Sequence, residues 1–340
     1  MEDSIRQLAS IQVIKELNPI EGADRIEVAT VLGWKLVVKK GEFKVGDLCV
    51  YFEIDSVLPK KEWSEFLVDK NRPDKPIRLK TVRLRGQISQ GLAMPVSILD
   101  EYDLGHYQED MDVTGILGVE KYEPPIPAQL AGQMKGTFPS FLIKTDSHRL
   151  QAYPRLIEEM QGIECYASIK IDGTSSTFYK REGEFGVCSR NMDLIRVEGN
   201  TYWEMVDKYL IEENLPDWYS IQGETYGEGI QGNRLEVKGH HLAIFDAFNI
   251  NAYRYSNLSE LRNLCSELNL PMVDIVHEGL FKWNSIDELM EFTAEQEYPN
   301  GAKAEGIVIR PVIEQESKSL KGGRMAFKVI SPYYLEKYGE

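Results

Sequence analysis

The stretch Ala167-Ser168-Ile169-Lys170-Ile171-Asp172-Gly173-Thr174 sets a lysine in an apolar run of β character, with an acid two residues on and then a glycine. A strand there half-buries Lys170 and discourages its protonation, because desolvation disfavours a charged amine. A neutral lysine is a nucleophile, and burial or nearby positive charge is how proteins make one near neutral pH. On a strand Asp172 shares a face with Lys170, and Gly173 lets a phosphate or nucleoside approach the backbone. The stretch suits attack by lysine on a phosphoryl group, with a carboxylate at hand to hold a metal. The tetrapeptide alone is weak: with each fixed residue present at on the order of one in twenty, chance supplies it in roughly a few per cent of chains this long. A lysine strand followed by Asp-Gly is also an ordinary hairpin. What lies downstream decides its meaning.

Downstream, Cys188-Ser189-Arg190-Asn191 puts a cation and two hydrogen-bonding groups after a strand turn. Ile221-Gln222-Gly223-Glu224 runs into a glycine-rich loop, where backbone N–H groups are exposed and the carboxylate can reach ribose hydroxyls or a metal. His241 to Ile250 reads as a buried strand whose aromatic residues, Phe245 and Phe248, could stack on a base. Ala304-Glu305-Gly306 opens another strand with an acid at its mouth, and Met325 to Ile330 is a last strand bearing Lys328. Upstream, Arg149 stands ahead of the Lys170 strand, before the helix-like run Leu156 to Met160, within reach of a triphosphate. Singly, each island has a structural explanation as a turn glycine, a core aromatic or an edge acid.

The elements that must position these residues fall into two groups. From Leu8 to about Val96 the pattern is all-β, with strands at Ile11–Ile14, Ile26–Val31, Trp34–Val38 and Leu48–Phe52 and punctuation by Gly, Asn and Asp, which suggests a small barrel. Ile77 to Leu84 reads as a further strand. Its Arg78 and Lys80 share a face, and Arg83 and Arg85 lie just beyond. Four cations within eight residues of an acidic chain are a candidate phosphate track or simply a solvated face. Residues 109–140 change character, and Glu123-Pro124-Pro125-Ile126-Pro127 is stiff and extended.

The chain has 340 residues and a net charge of −15, with a pI near 5.0. That length suits two domains. The charge argues against wholesale wrapping of nucleic acid but leaves room for a local basic groove. The four cysteines, Cys49, Cys165, Cys188 and Cys265, contain no C-x-x-C pair and read as reduced core thiols. Without an N-terminal apolar region or a long apolar span, the chain reads as soluble and intracellular, with no membrane partner.

As an ordered set, Lys170-x-Asp-Gly, Ser189-Arg190-Asn191, Gly223-Glu224, Phe245-Asp246, Glu305-Gly306 and Phe327-Lys328 resemble motifs I, Ia, III, IIIa, IV and V of the covalent nucleotidyltransferases. That superfamily contains the ATP-dependent DNA and RNA ligases and the mRNA capping guanylyltransferases. The resemblance covers about Lys144 to Lys328. With the barrel placed first, the layout is similar to the Deinococcus- and Naegleria-type nick-sealing RNA ligases.

The implied fold is α+β: an OB-type barrel over 1–108, a linker over 109–136, and over 137–340 a nucleotidyltransferase domain of ATP-grasp-like antiparallel sheets plus helices. The implied activity is ATP-dependent sealing of 3′-OH and 5′-phosphate ends, with RNA or an RNA/DNA nicked duplex as partner and a monomeric enzyme. Lys170 is then the residue that carries AMP. Ile169, Asp172, Gly173, Arg149, Arg190, Glu224, Phe245 and Lys328 bind the nucleotide, and Phe245 rather than Phe248 stacks on adenine. Asp172, Glu224 and Glu305 hold Mg²⁺ or Mn²⁺, directly or through water. Arg78, Lys80, Arg83 and Arg85 contact nucleic acid. Two other classes share these features: a capping-type guanylyltransferase using GTP, and a non-catalytic RNA-binding relative.

One position departs from the pattern. Motif V of such ligases usually reads Lys-x-Lys, and here the first position is Ala326. A lysine there would share a strand face with Lys328, and lacking such a cation commonly costs on the order of 3 kcal/mol in the transition state. The expectation is slow or absent formation of lysyl-AMP, restored by Ala326→Lys.

Overall fold

The computed structural model describes residues 7–123, 130, 132–320 and 323–338; the proline run expected at 124–127 lies outside them. The chain divides into two compact units, Met1–Pro125 with Leu335–Glu340, and Ile126–Tyr334. The division falls inside the stretch expected as a linker. Its two flanks are structured: Val113, Leu117 and Val119 belong to the core of the first unit, and Met134–Thr137 is a strand of the second.

The first unit is an OB-type half-barrel. Its long first strand, Ala9–Pro19, pairs with Ile26–Val31 along one part and with Leu48–Phe52 along the other, so one strand serves both halves of a five-stranded sheet. A bulge between Ile14 and Glu16 lets it bend between them. In Trp34–Lys39 burial alternates, with Trp34, Leu36 and Val38 inside, as a period of two requires.

The strand expected over Ile77–Leu84 is two strands. Ile77–Arg78 pairs with Ser56–Leu58, and Val82–Leu84 forms a separate hairpin with Gln87–Ser89. The hairpin turns on Arg85 and Gly86, both at positive φ (50° and 82°), the conformation of a two-residue type I′ turn.

The second unit packs helices against two sheets. A seven-stranded antiparallel sheet contains Thr174–Arg181, Tyr219–Gly227 and His240–Asn249. Helices Thr201–Tyr209 and Leu258–Glu267 cover it, pressing Met205, Val206, Leu261 and Leu264 onto Phe178, Ile221, Leu242 and Ile244. The second sheet runs in the order His148–Arg149, Phe327–Ile330, Gly306–Pro311, Glu164–Lys170, Ile275–Leu280. Its first pair is parallel and the others are antiparallel. On one face Ala167, Ile307, Ile309, Phe327 and Val329 form a core with Leu289 of helix Ile286–Glu295. The other face carries the chemistry. Among the described residues no helix is long and apolar enough to cross a membrane.

Candidate active site

Strand register gathers the charged groups. Lys170 lies opposite Gly306, and Ser168 opposite Val308. Val308 in turn lies opposite Lys328, and Lys328 beside Arg149. Directly paired residues point to the same side of a sheet and positions two apart agree, so Arg149, Lys328 and Lys170 share one face. Arg149 lies ahead of the helix Leu156–Glu159, as expected, and itself sits on a short strand beside Lys328.

Lys170 is the last residue of its strand. Its Nζ lies 2.5 Å from Oε2 of Glu305, with the lysine side chain 25 % and the glutamate 5 % exposed. A carboxylate at that distance favours the ammonium form, opposite in sense to the partial burial the sequence implied. Gly306 follows the acid because a Cβ there would meet the Val329 carbonyl oxygen at 2.2 Å.

Asp172 is not on the strand, which ends two residues earlier; it occupies a buried bend, and its Oδ2 lies 3.4 Å from Nε of Arg234. The space beside Gly173 is filled by protein, since a Cβ there would meet the Thr225 carbonyl oxygen at 2.5 Å and the Glu224 side chain at 2.8 Å. Glu224 lies on the facing sheet, opposite Ser175. Burial pushes its carboxyl up to about 8, against the pull of Lys170 and with Glu305 and Asp172 adding to the rise. Among the described residues no three carboxylate, imidazole or thiol groups stand close enough to grip a metal ion together. Three acids whose mutual repulsion raises one of them still suit a hard divalent cation that keeps part of its water shell.

The cations are similarly crowded. Burial, with Arg149 and Lys170 adding to it, lowers Lys328 to about 7. Arg190, just beyond strand Glu184–Cys188, pairs with Asp146 at 2.7 Å. Ala326 is buried one residue before the strand that bears Lys328, its N–H bonded to the Arg324 carbonyl at 2.7 Å.

The two aromatic candidates separate cleanly. A bulge opposite Gln222 and Gly223 skips Phe245 in the ladder, and Phe245 is half-buried beside Ile169, Ile171 and Ala243. Phe248 is fully buried with Leu142, Tyr179 and Ile250. Asp246 holds Arg324, which also grips Glu314 at 2.5 and 2.6 Å and lies 3.6 Å over the Tyr255 ring. Arg310 completes this buried network, 3.6 Å from Asp246.

Three contributors were invisible in the sequence. Arg234 comes from the loop after Gly227, Asp146 from the segment before Arg149, and Tyr298 from a turn seven residues before Glu305. The Tyr298 hydroxyl accepts from the N–H groups of Asp172 and Glu305 and donates to the Lys170 carbonyl. No spacing rule joins a tyrosine to these residues.

The basic run of the first unit does not form one track. Arg78 is half-buried, paired with Asp55 at 2.6 Å and lying 3.8 Å over the Tyr122 ring. Arg83 bonds the Gly86 carbonyl and Glu336, each at 2.5 Å. Arg85 is an exposed turn residue, and Lys80 is exposed between the two short strands.

Two sheets closing a lysine, three acids and a cluster of cations, in a chain with an OB unit, define a nucleotidyltransferase-type enzyme. An OB-fold domain profile matches residues 8–96 and an RNA ligase profile matches residues 163–330. A solved structure of Naegleria gruberi RNA ligase with PPi is 36 % identical, with a TM-score of 0.86, covering 98 % of this chain and 99 % of that one. A lysine-to-methionine mutant of the Naegleria gruberi enzyme, solved with AMP and Mn, is 35 % identical with a TM-score of 0.87 and the same coverage. A further Naegleria gruberi mutant without ligand also aligns at 35 % identity and a TM-score of 0.87, over 98 % of this chain and 99 % of that one. No curated protein sequence matches. The chain belongs to the RNA ligase family.

Proposed function

We propose that this RNA ligase uses ATP and Mg²⁺ or Mn²⁺ to join a 3′-OH to a 5′-phosphate, at nicks in RNA or RNA/DNA duplexes, acting as a monomer. The observation that carries this reading is the Lys170 amine, 2.5 Å from Glu305 and on one strand face with Lys328 and Arg149. The relatives solved with AMP and Mn or with PPi support it.

Lys170 gives up a proton and attacks the α-phosphorus; the bond to the bridging oxygen breaks and pyrophosphate leaves. An oxygen of the 5′-phosphate end then attacks the same phosphorus, breaking the P–N bond and freeing the lysine. The 3′-OH finally attacks the activated 5′-phosphate and AMP departs. In-line displacement at phosphorus requires charge to be neutralised around the reacting oxygens. Arg149 and Lys328 do so from the lysine's own face, and Arg190 adds a cation from the neighbouring sheet. Glu305 orients the amine. Phe245 stacks on the adenine, and Phe245→Leu is expected to weaken ATP binding without unfolding the chain. Glu224, Glu305 and Asp172 would hold the divalent cation, which would supply further neutralisation of phosphate charge.

The test is incubation with ATP or GTP labelled at the α-phosphate, peptide mapping, and then sealing of nicked duplexes with RNA or DNA on each side of the nick. Label from ATP on Lys170, lost in Lys170→Met, is expected. Label on another lysine, or preference for GTP, would overturn the reading.

A further inference from the structure

We propose that Tyr298 is a positioning residue for the lysine chemistry: its hydroxyl clamps the end of the strand ladder from which Lys170, Asp172 and Glu305 emerge. This inference rests on the reading of Lys170 as the nucleophile. The pairing of Glu164–Lys170 with Gly306–Pro311 stops at Lys170 opposite Gly306. Beyond that point the backbones of Asp172 and Glu305 have left the ladder while their residues stay buried, at 5 % and 4 % exposure. One phenolic oxygen takes both N–H groups, at 3.0 and 3.1 Å, and its own proton goes to the Lys170 carbonyl at 3.0 Å. A phenol offers one donor and two lone pairs. All of that capacity is spent on the backbone of the nucleophile and of two acids.

The tyrosine is itself held from two directions. Its N–H donates to the Ala302 carbonyl at 2.7 Å, and the Gly301 N–H returns to its own carbonyl at 2.8 Å, in a turn where Gly301 has φ of 80°. It packs in one core cluster with Ile169 of one sheet, Ile171 just past that strand's end, and Ala243 of the other sheet. The hydroxyl thus ties the strand that carries the nucleophile to the residue that orients it, at a place where the ladder no longer does. Reacting atoms displaced by about an ångström lose on the order of a hundredfold in rate. Phenylalanine would keep the packing and release the clamp.

The test is Tyr298→Phe in the full chain, following single-turnover transfer of label from α-labelled ATP to Lys170 as ATP is varied, alongside thermal unfolding. The maximal rate is expected to fall at least about tenfold, with half-saturating ATP within about threefold. Ile309→Val, a core change on the opposite face, serves as the control: it is expected to lower the melting temperature and leave the rate alone. If Tyr298→Phe fails to fold, Gly301→Ala, which strains the turn but keeps the hydroxyl, must show the same split. A lowered melting temperature with an unchanged maximal rate would make Tyr298 merely structural and overturn the inference. If the parent chain is too slow to follow, the pair is compared in the Ala326→Lys background. Label that persists in Lys170→Met, or never forms in either background, would instead overturn the reading of Lys170 on which the inference stands.

Discussion

The two units treat neighbouring residues in opposite ways. In the first, four cations within eight residues are scattered by the fold: Arg78 is spent on Asp55 and Tyr122, Arg83 on Glu336, and Arg85 sits on an exposed turn. In the second, residues as far apart as Lys170 and Glu305, separated by 135 positions, meet at 2.5 Å. The difference lies in what fixes each side chain. Antiparallel register carries parity from strand to strand and so preserves a shared face over any sequence distance. A two-residue turn between short strands destroys parity within a few positions.

Four experiments would break or sharpen this contrast. The largest effect is expected from removing the first unit. A chain beginning at Gln133, which keeps the Met134–Thr137 edge strand, should form lysyl-AMP within about threefold of the full chain yet seal nicks about a hundredfold more slowly at moderate salt, because phosphate contacts dominate nucleic-acid affinity. Undiminished sealing would show that the barrel takes no part in holding nucleic acid.

Next is Ala326→Lys. The sequence alone implied a gain of a hundredfold, but Arg149 already stands beside Lys328 and position 326 is buried outside the strand. A gain of about tenfold in lysyl-AMP formation is expected. No gain would mean that Arg149 and Lys328 suffice.

The third concerns pH. With Lys328 lowered to about 7, the free enzyme holds it half neutral at that pH, whereas polyphosphate favours the charged form. Binding of ATP should take up a proton, so affinity should fall as pH rises above about 7, by at most about tenfold per unit. Lys328→Arg stays charged and should flatten the profile; calorimetry in buffers of differing ionisation enthalpy measures the proton directly. The same shift has a stability sign. A depressed folded value means that the contribution is present above the unfolded value and lost progressively as pH falls from about 10.5 to about 7, so Lys328→Met should flatten the melting temperature over that window.

The smallest effect separates two neighbouring arginines. Arg85→Ala is expected to weaken nucleic-acid binding a few-fold and to reduce the salt slope by about one. Arg78→Ala is expected to cost about 1 kcal/mol of stability with little change in that slope. Equal effects on binding would restore the single phosphate track that the fold argues against.

Much of the site was legible because strand periodicity is legible. Lys170, Glu224, Glu305 and Lys328 each sit at or within a strand marked by apolar neighbours, and Gly306 and Gly173 announce tight backbone approaches. Phe245 was put ahead of Phe248 by the motif resemblance and not by periodicity; the fold buries Phe248 in the core and leaves Phe245 half-buried. That Arg149 itself lies on a strand was not legible, because two residues form that strand, too few to show any period. Tyr298 and Arg234 were missed because they act from a turn and a loop, where no repeat links the side chain to its target. Asp172 was given a strand position by simple extension, and the strand stops at Lys170.

The parallel pairing of His148–Arg149 with Phe327–Ile330 sets the order in which the enzyme can come into being. Loop-closure entropy must be met before such a distant contact returns anything, and chains rich in contacts of this kind fold slowly. On a ribosome, the Lys170 strand emerges long before its cationic neighbour Lys328 is made. The newborn chain therefore carries its nucleophile in an incomplete setting, and reactivity should arrive late and all at once, when the last strand of that sheet docks.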